Sequence, residues 1–144
     1  MSELLEIWVP EPIQSSPVDA DDVIAASHRA ATAFATAHCW TEAIEALRNA
    51  KELMLSSRTI YPAATWCKLP LYLQKAGRFQ EAMAEFSFLI EDLPRRARKD
   101  SRLDDPNVGP LKGKQQYHDL ILKSDHEIIM RKQTLAQQRE AKLK

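Results

Sequence analysis

A dense run of basic side chains is the sharpest chemical feature of this 144-residue sequence. Arg95, Arg96, Arg98 and Lys99 lie within five consecutive positions, and more basic residues follow them. The following basic residues are Arg102, Lys112 and Lys114. Guanidinium and ammonium groups at this density neutralise phosphates or carboxylates, so the four residues predict a site for an anion or an acidic partner.

The alternative interpretation of the same run is a solvated segment that complements the C-terminal dipole of the helix before it. No aromatic residue is interleaved between positions 95 and 99. Stacking on bases is how proteins hold single-stranded nucleic acid, and this run has no side chain for it. The run therefore favours contacts to charge over contacts to bases.

His118, Asp119, Asp125 and His126 form a second group of titratable residues near the C-terminus. On a helix, metal ligands must stand three or four positions apart on one face. The two histidines are eight positions apart, which is too far for one ion, and the adjacent Asp125 and His126 project in different directions. We expect no metal site here.

Cys39 and Cys67 show neither a disulfide framework nor a zinc-knuckle spacing. The sequence also has no glycine-rich phosphate loop, no G-x-S-x-G elbow and no H-E-x-x-H motif. We therefore expect a protein that is not an enzyme, needs no cofactor and has no evident small-molecule substrate. No secretory signal is recognisable, and no apolar run approaches the roughly 20 residues of a membrane span. This favours a cytoplasmic protein without a membrane partner.

Composition predicts an all-α fold. Strong helix formers dominate, 44% of residues are hydrophobic, 28% are charged, and the chain has three glycines. Residues 1–93 carry 7 basic and 13 acidic side chains (net −6), whereas residues 94–144 carry 13 basic and 7 acidic ones (net +6). The asymmetry indicates an anionic partner for the C-terminal part, or pairing of oppositely charged regions within one chain or between two.

Apolar spacing of three and four residues, together with helix breakers, divides the chain. Residues 1–18 form an arm, in which three prolines exclude a continuous helix and apolar residues suggest docking onto the domain or a partner. Residues 95–113 are predicted to be a basic loop, and residues 114–144 a C-terminal helix. The predicted helices are residues 19–38, a helix capped by Thr41 and ending near residue 57, and residues 62–76, 79–93 and 114–139.

Prolines and one glycine set expectations for the predicted helix ends. Gly77 is placed to close the third helix as a left-handed cap. Pro94 is expected to end the fourth helix. Pro70 falls inside the third helix and should kink or break it.

An internal repeat appears when Trp40 is aligned with Phe79, 39 positions later. Both copies read aromatic-x-Glu-Ala-aliphatic-x-x-large apolar. The second copy resembles a tetratricopeptide repeat through its aromatic, leucine, turn glycine, A-x-x-x-F pair and terminal proline. Those residues are Trp66, Leu69, Gly77, Phe79, Ala82, Phe86 and Pro94, and the first copy keeps Phe34, Trp40, Ala43 and Leu47.

This resemblance, which covers about 75 residues within 19–94, implies two antiparallel tetratricopeptide-like hairpins, with the long C-terminal helix packing on or capping them. It also implies a partner-binding groove lined by the first helix of each hairpin. By position, the groove residues are His28, Thr32, Thr36, Cys67, Leu71, Gln74 and Lys75. The expected function is a protein-interaction module: an adaptor, an inhibitor or a chaperone-like protein. A nucleic-acid-associated protein that uses the basic C-terminal third is the alternative, and a homodimer is a further possibility.

Overall fold

The computed structural model describes residues 17–57, 59–99 and 111–143, with side chains from residue 20 and, in the last stretch, from residue 115. Predictions for residues 1–16 of the arm and for residues 100–110 lie outside this part of the chain, whereas residues 17–18, predicted as the end of the arm, are the first residues of a helix. The described residues are α-helical without a strand, so the all-α prediction is confirmed. The helices are α1 (Pro17–Thr36), α2 (Trp40–Ser56), α3 (Ala63–Trp66), α4 (Lys68–Lys75), α5 (Phe79–Arg98) and α6 (Leu111–Lys142).

The helices pack as two antiparallel hairpins followed by a long helix, as predicted. α1 pairs with α2, α4 pairs with α5, and α6 runs along α5 and the α3–α4 pair. The amide nitrogens of Gln133 and Gln137 each lie 3.9 Å from the Met83 sulfur, near the start of α5. The first half of α6 lies beside the end of α5, so the two helices are antiparallel.

The two hairpins turn in the same way. His38 after α1 and Gly77 after α4 have φ of 61° and 83°. In both turns the N–H of the next residue donates to the carbonyl five positions back, at 2.8 Å. This is the Schellman arrangement, in which a left-handed residue closes the helix. The cap at Gly77 is confirmed, and His38 takes the equivalent place in the first copy of the repeat.

The turn at His38 also corrects the predicted start of α2. Thr41 is not the N-cap: the helix begins at Trp40, Cys39 precedes it, and no side chain caps it. The first helical hydrogen bond runs from the Ala43 N–H to the Cys39 carbonyl at 3.0 Å. Because His38 completes the preceding helix, the chain enters α2 directly and Thr41 falls inside it.

The predicted interruption of the third helix is confirmed and lies at Cys67, between α3 and α4. Pro70 is the third residue of α4, where its missing N–H would otherwise donate to the Trp66 carbonyl. The helix is therefore interrupted one turn before Pro70, at the point where the missing N–H of the proline removes a backbone hydrogen bond.

Pro94 does not end α5, so the prediction of a helix end there is wrong. The helix continues to Arg98. A proline inside a helix lowers the free energy of unfolding by about 3 kcal/mol. However, Leu93 and Ala97, on either side of Pro94, are buried, so the apolar face of α5 continues beyond the proline. Burial of these side chains offsets the cost. Residues 95–98 are consequently helix, not loop, and α6 begins three residues before the predicted 114.

Ion pairs join the first hairpin to α5. Arg48 on α2 contacts Glu81 at 3.0 Å, and Lys51 contacts Glu85 at 2.9 Å. Hydrogen bonds from Arg78 and then Arg48 lower the pKa of Glu81 to about 2. The Glu81 pair is exposed and adds little stability, whereas the Glu85 pair is largely shielded from solvent.

We predict that His38→Gly raises the free energy of unfolding by about 1 kcal/mol, because glycine adopts a positive φ without steric cost. Gly77→Ala should lower it by a similar amount. A Cβ at Gly77 would meet no atom within 4 Å, so that loss reports backbone strain alone. Urea unfolding measures both.

Ala33→Gly, at an exposed position inside α1, is the control and should cost about 1 kcal/mol. If His38→Gly destabilises the protein as Ala33→Gly does, the left-handed residue is not strained and the account of the turn is wrong.

Candidate functional site

An open groove of about 590 Å³ lies between α1 and the α3–α4 pair, the first helices of the two hairpins. Ile24, Ala25 and Ala64 form its apolar surface. The α1 residues that line it stand three or four positions apart, so one face of that helix forms the wall. His28 and Lys68 are the polar groups at one end of the groove.

Asp21 organises the other end. Its carboxylate accepts hydrogen bonds from Thr59 (2.8 Å), from the Tyr61 hydroxyl (2.9 Å) and, at 3.5 Å, from Ser57. Burial, and then the hydrogen bond to Asp21, raises the pKa of Tyr61 to about 12. These contacts tie α1 to the segment between the hairpins and fix the width of the groove at this end.

Lys68 projects from α4 towards α1. Its ammonium donates to the Thr32 hydroxyl at 2.9 Å, and no acidic partner for it occurs among the residues described. Burial, and then the charge of Lys68, lowers the pKa of His28 below its ordinary 6.5. The imidazole is therefore neutral at pH 7 and lies beside a cation.

Of the seven predicted groove residues, His28 alone lines the groove. Thr32 stands at its rim, where it accepts from Lys68, and Thr36 is exposed one turn further along α1. Lys75 is exposed on α4, with its ammonium 6.0 Å from the centre of the Tyr72 ring.

The other three predicted positions face away from this groove, and the prediction for them is corrected. Cys67 is fully buried, Gln74 is 2% exposed, and Leu71 packs against the core. Gln74 donates to Glu140 of α6 at 3.3 Å. Because α6 lies over this face, the groove of the second hairpin is lined instead by positions 64, 65 and 68.

Sequence reasoning named His28 but missed the other residues that line the groove, which are Asp21, Ile24, Ala25, Thr59, Tyr61, Ala64, Thr65 and Lys68. Ala64, Thr65 and Lys68 lie about one helical step from the predicted face of the third helix. The sequence feature that could have indicated the groove face of the third helix was Lys68, a charged residue beside a strongly apolar stripe. Choosing between the two faces required knowing which one α6 covers, and the sequence of α6 is weakly amphipathic.

Arg95 and Arg96 of the basic run are engaged inside the fold. Arg96 is 10% exposed and contacts the Asp92 carboxylate at 2.9 Å, while Arg95 contacts it at 2.7 Å. Although burial raises it, hydrogen bonds from both arginines hold the pKa of Asp92 below its ordinary value. The Arg96 guanidinium also lies 4.9 Å from the centre of the Trp66 ring and donates to the Leu89 carbonyl at 2.8 Å.

Lys99 is engaged as well. Its ammonium donates to the carbonyls of Leu55 and Ser57, at 3.2 and 3.1 Å, and so caps the end of α2. Arg98 is exposed and has no ion pair within the described ranges. The predicted anion site at Arg95, Arg96, Arg98 and Lys99 is therefore not a cluster of four available cations, because Arg95 and Arg96 pair with Asp92 and Lys99 caps α2.

The other candidates for chemistry, the buried thiol and a metal site, gain no support from the described residues. Burial raises the pKa of Cys67 to about 11, which disfavours its thiolate. Within the described ranges no three His, Cys, Asp or Glu side chains are grouped to hold a metal ion. The helices of this part of the chain are also too short or too polar to cross a membrane.

Comparison with known proteins gives no assignment. No family model matches the chain, and neither a curated protein nor a solved structure matches it. The tetratricopeptide resemblance therefore stays a prediction from the repeat.

Arg96→Ala should lower the free energy of unfolding by about 2–3 kcal/mol, since it leaves Asp92 and the Leu89 carbonyl short of a buried donor. Arg98→Ala, two positions away and exposed, should change it by less than about 0.5 kcal/mol. Urea unfolding of the two variants provides the comparison. Equal effects would show that Arg96 is not held as described.

Thiol reactivity tests the cover that α6 provides. Cys39 is partly exposed and Cys67 is buried, so Ellman's reagent should modify one thiol of the native protein rapidly. The raised pKa alone reduces the thiolate fraction of Cys67 at pH 8 by about 100-fold. Cys39→Ser should remove the rapid phase. Two rapid equivalents in the native protein would contradict the burial of Cys67.

Proposed function

We propose that this protein is a non-enzymatic protein-interaction module that binds a segment of a partner protein in the groove between α1 and α3–α4. The observation that supports the proposal is the groove itself, which the first helices of both hairpins form. The tetratricopeptide resemblance implies the same use of these helices.

The groove has dimensions and chemistry suited to a peptide. From Asp21 to Thr32, α1 advances about 16 Å, which matches about five residues of extended chain or three turns of helix. Ile24, Ala25 and Ala64 offer apolar contact, while Lys68 offers a charged donor at one end. Binding sites commonly combine an apolar surface with a few placed polar groups.

The same chemistry favours binding over catalysis. The pKa of His28 is lowered and its neighbour Lys68 is tied to a threonine hydroxyl, so neither is paired with an activated nucleophile. In the described part of the chain, the thiol of Cys67 is buried with a raised pKa. A partner held through side-chain contacts needs none of these groups to react.

The nucleic-acid alternative draws less support from the described residues. Arg95, Arg96 and Lys99 bond to groups of the fold, which leaves Arg98 as the member of the run without an ion pair or capping bond among the described residues. Arg102, Lys112 and Lys114, which follow the run, lie outside the described side chains, whereas Lys123, Arg131 and Lys142 are exposed on α6. The basic run itself therefore gives the nucleic-acid alternative less support than the groove gives to protein binding.

A displayed library of random 12-residue peptides, selected against the full chain, tests the proposal. Ala25→Arg places a long charged side chain in the groove at an exposed helical position, whereas Ala84→Arg makes the same change on the exposed side of α5. Peptides selected on the unaltered protein should bind Ala84→Arg equally well. They should bind Ala25→Arg at least about 10-fold more weakly, a loss of about 1.4 kcal/mol.

Fluorescence anisotropy with a labelled synthetic copy of the selected peptide gives the dissociation constants. Selection of no peptide, or equal binding by both variants, would contradict a peptide site in this groove. Circular dichroism of both variants confirms that the helices are retained.

A further inference from the structure

Nε2 of His28 and Oε2 of Glu85 are among the four buried polar side-chain atoms of the described residues that lack a hydrogen-bond partner, and both residues line one small cavity. Leaving such a group unpaired costs about 1–3 kcal/mol, and more for a charged one. Native proteins seldom retain this cost at two residues that share a cavity, so the cavity calls for an explanation.

The cavity lies where the two hairpins meet. His28 comes from α1, Lys51 from α2, Thr65 from α3 and Glu85 from α5. Its volume is about 10 Å³, close to the smallest space that holds one water molecule. Nothing larger than a water molecule or a monatomic ion fits.

The surrounding charges select among those occupants. The other carboxylate oxygen of Glu85, Oε1, accepts from the Lys51 ammonium at 2.9 Å. That ammonium disfavours a second cation beside it, and the carboxylate disfavours an anion. A neutral molecule is the occupant that both charges tolerate.

The hydrogen-bonding requirements point the same way. An ionised carboxylate oxygen can only accept, so the occupant must donate to Glu85. Nε2 of neutral His28 donates in one tautomer and accepts in the other. Water satisfies both cases, because it can donate twice or donate once and accept once. Thr65 also borders the cavity and offers a further contact.

We propose that one ordered water molecule binds in this cavity and bridges Nε2 of His28 to Oε2 of Glu85, linking the first hairpin to the second. This bridge fixes the orientation of an imidazole that also lines the open groove. The inference does not depend on a partner binding there.

A crystal structure of the full chain, at a resolution that shows ordered water, tests the bridge. The expected result is a density peak about 2.7–3.2 Å from both atoms. A direct hydrogen bond between His28 and Glu85, or no peak in the cavity, would overturn the proposal. A peak with contacts near about 2.0–2.2 Å would indicate a metal ion and overturn it too.

His28→Phe gives a second measurement, because phenylalanine keeps a ring but lacks Nε2. The peak should disappear from this variant, and persistence at the same place would show that His28 does not hold the water. His118→Phe is the matched control, at a histidine on α6 outside the cavity. The peak should remain in the control, and its loss there would contradict a local bridge. The structure of the unaltered chain decides the question even if His28→Phe does not fold.

Discussion

The apolar face of the second hairpin has to be covered, and α6 provides the cover. Trp66 and Phe86 lie in the same core cluster as Ile129 and Ala136 of α6. Without that helix, the two aromatic side chains would face water, at a cost of several kcal/mol. Because α6 occupies this side of α3–α4, the groove beside α1 lies on the other side, and the choice of groove residues follows from it.

Packing against this core also determines whether a proline in the sequence ends its helix. Pro94 is a strong breaker by its own chemistry, yet Leu93 and Ala97 are buried on either side of it. Arg96 donates to the Leu89 carbonyl within the weakened part of the helix and covers the face of Trp66. The basic run therefore helps to stabilise the core packing that lets α5 continue beyond Pro94. The number of charges in the sequence does not predict this role.

Local patterns predicted most of the fold, but of the residues that line the groove they predicted only His28. Gly77 predicted the second turn correctly, whereas the first turn was predicted with Thr41 as a cap, because the left-handed conformation that recurs at His38 has no glycine to signal it. The other residues of the α1 wall, Asp21, Ile24 and Ala25, were not predicted. Cys67 and Gln74 were misplaced because their exposure depends on contacts with α6, more than 60 positions away in sequence, and such long-range choices leave little periodic signal in either segment.

His28 links the open groove to the interior of the fold. Its ring borders the open groove and also the small cavity between the hairpins, so one side chain contacts both. A ligand that prefers one orientation of this ring favours the hairpin packing in which that orientation is bonded, and the packing favours the ligand equally. If a partner segment binds in the groove as proposed, its affinity is therefore coupled to the proposed water bridge between His28 and Glu85, and this coupling would stiffen a groove that is built on only two hairpins.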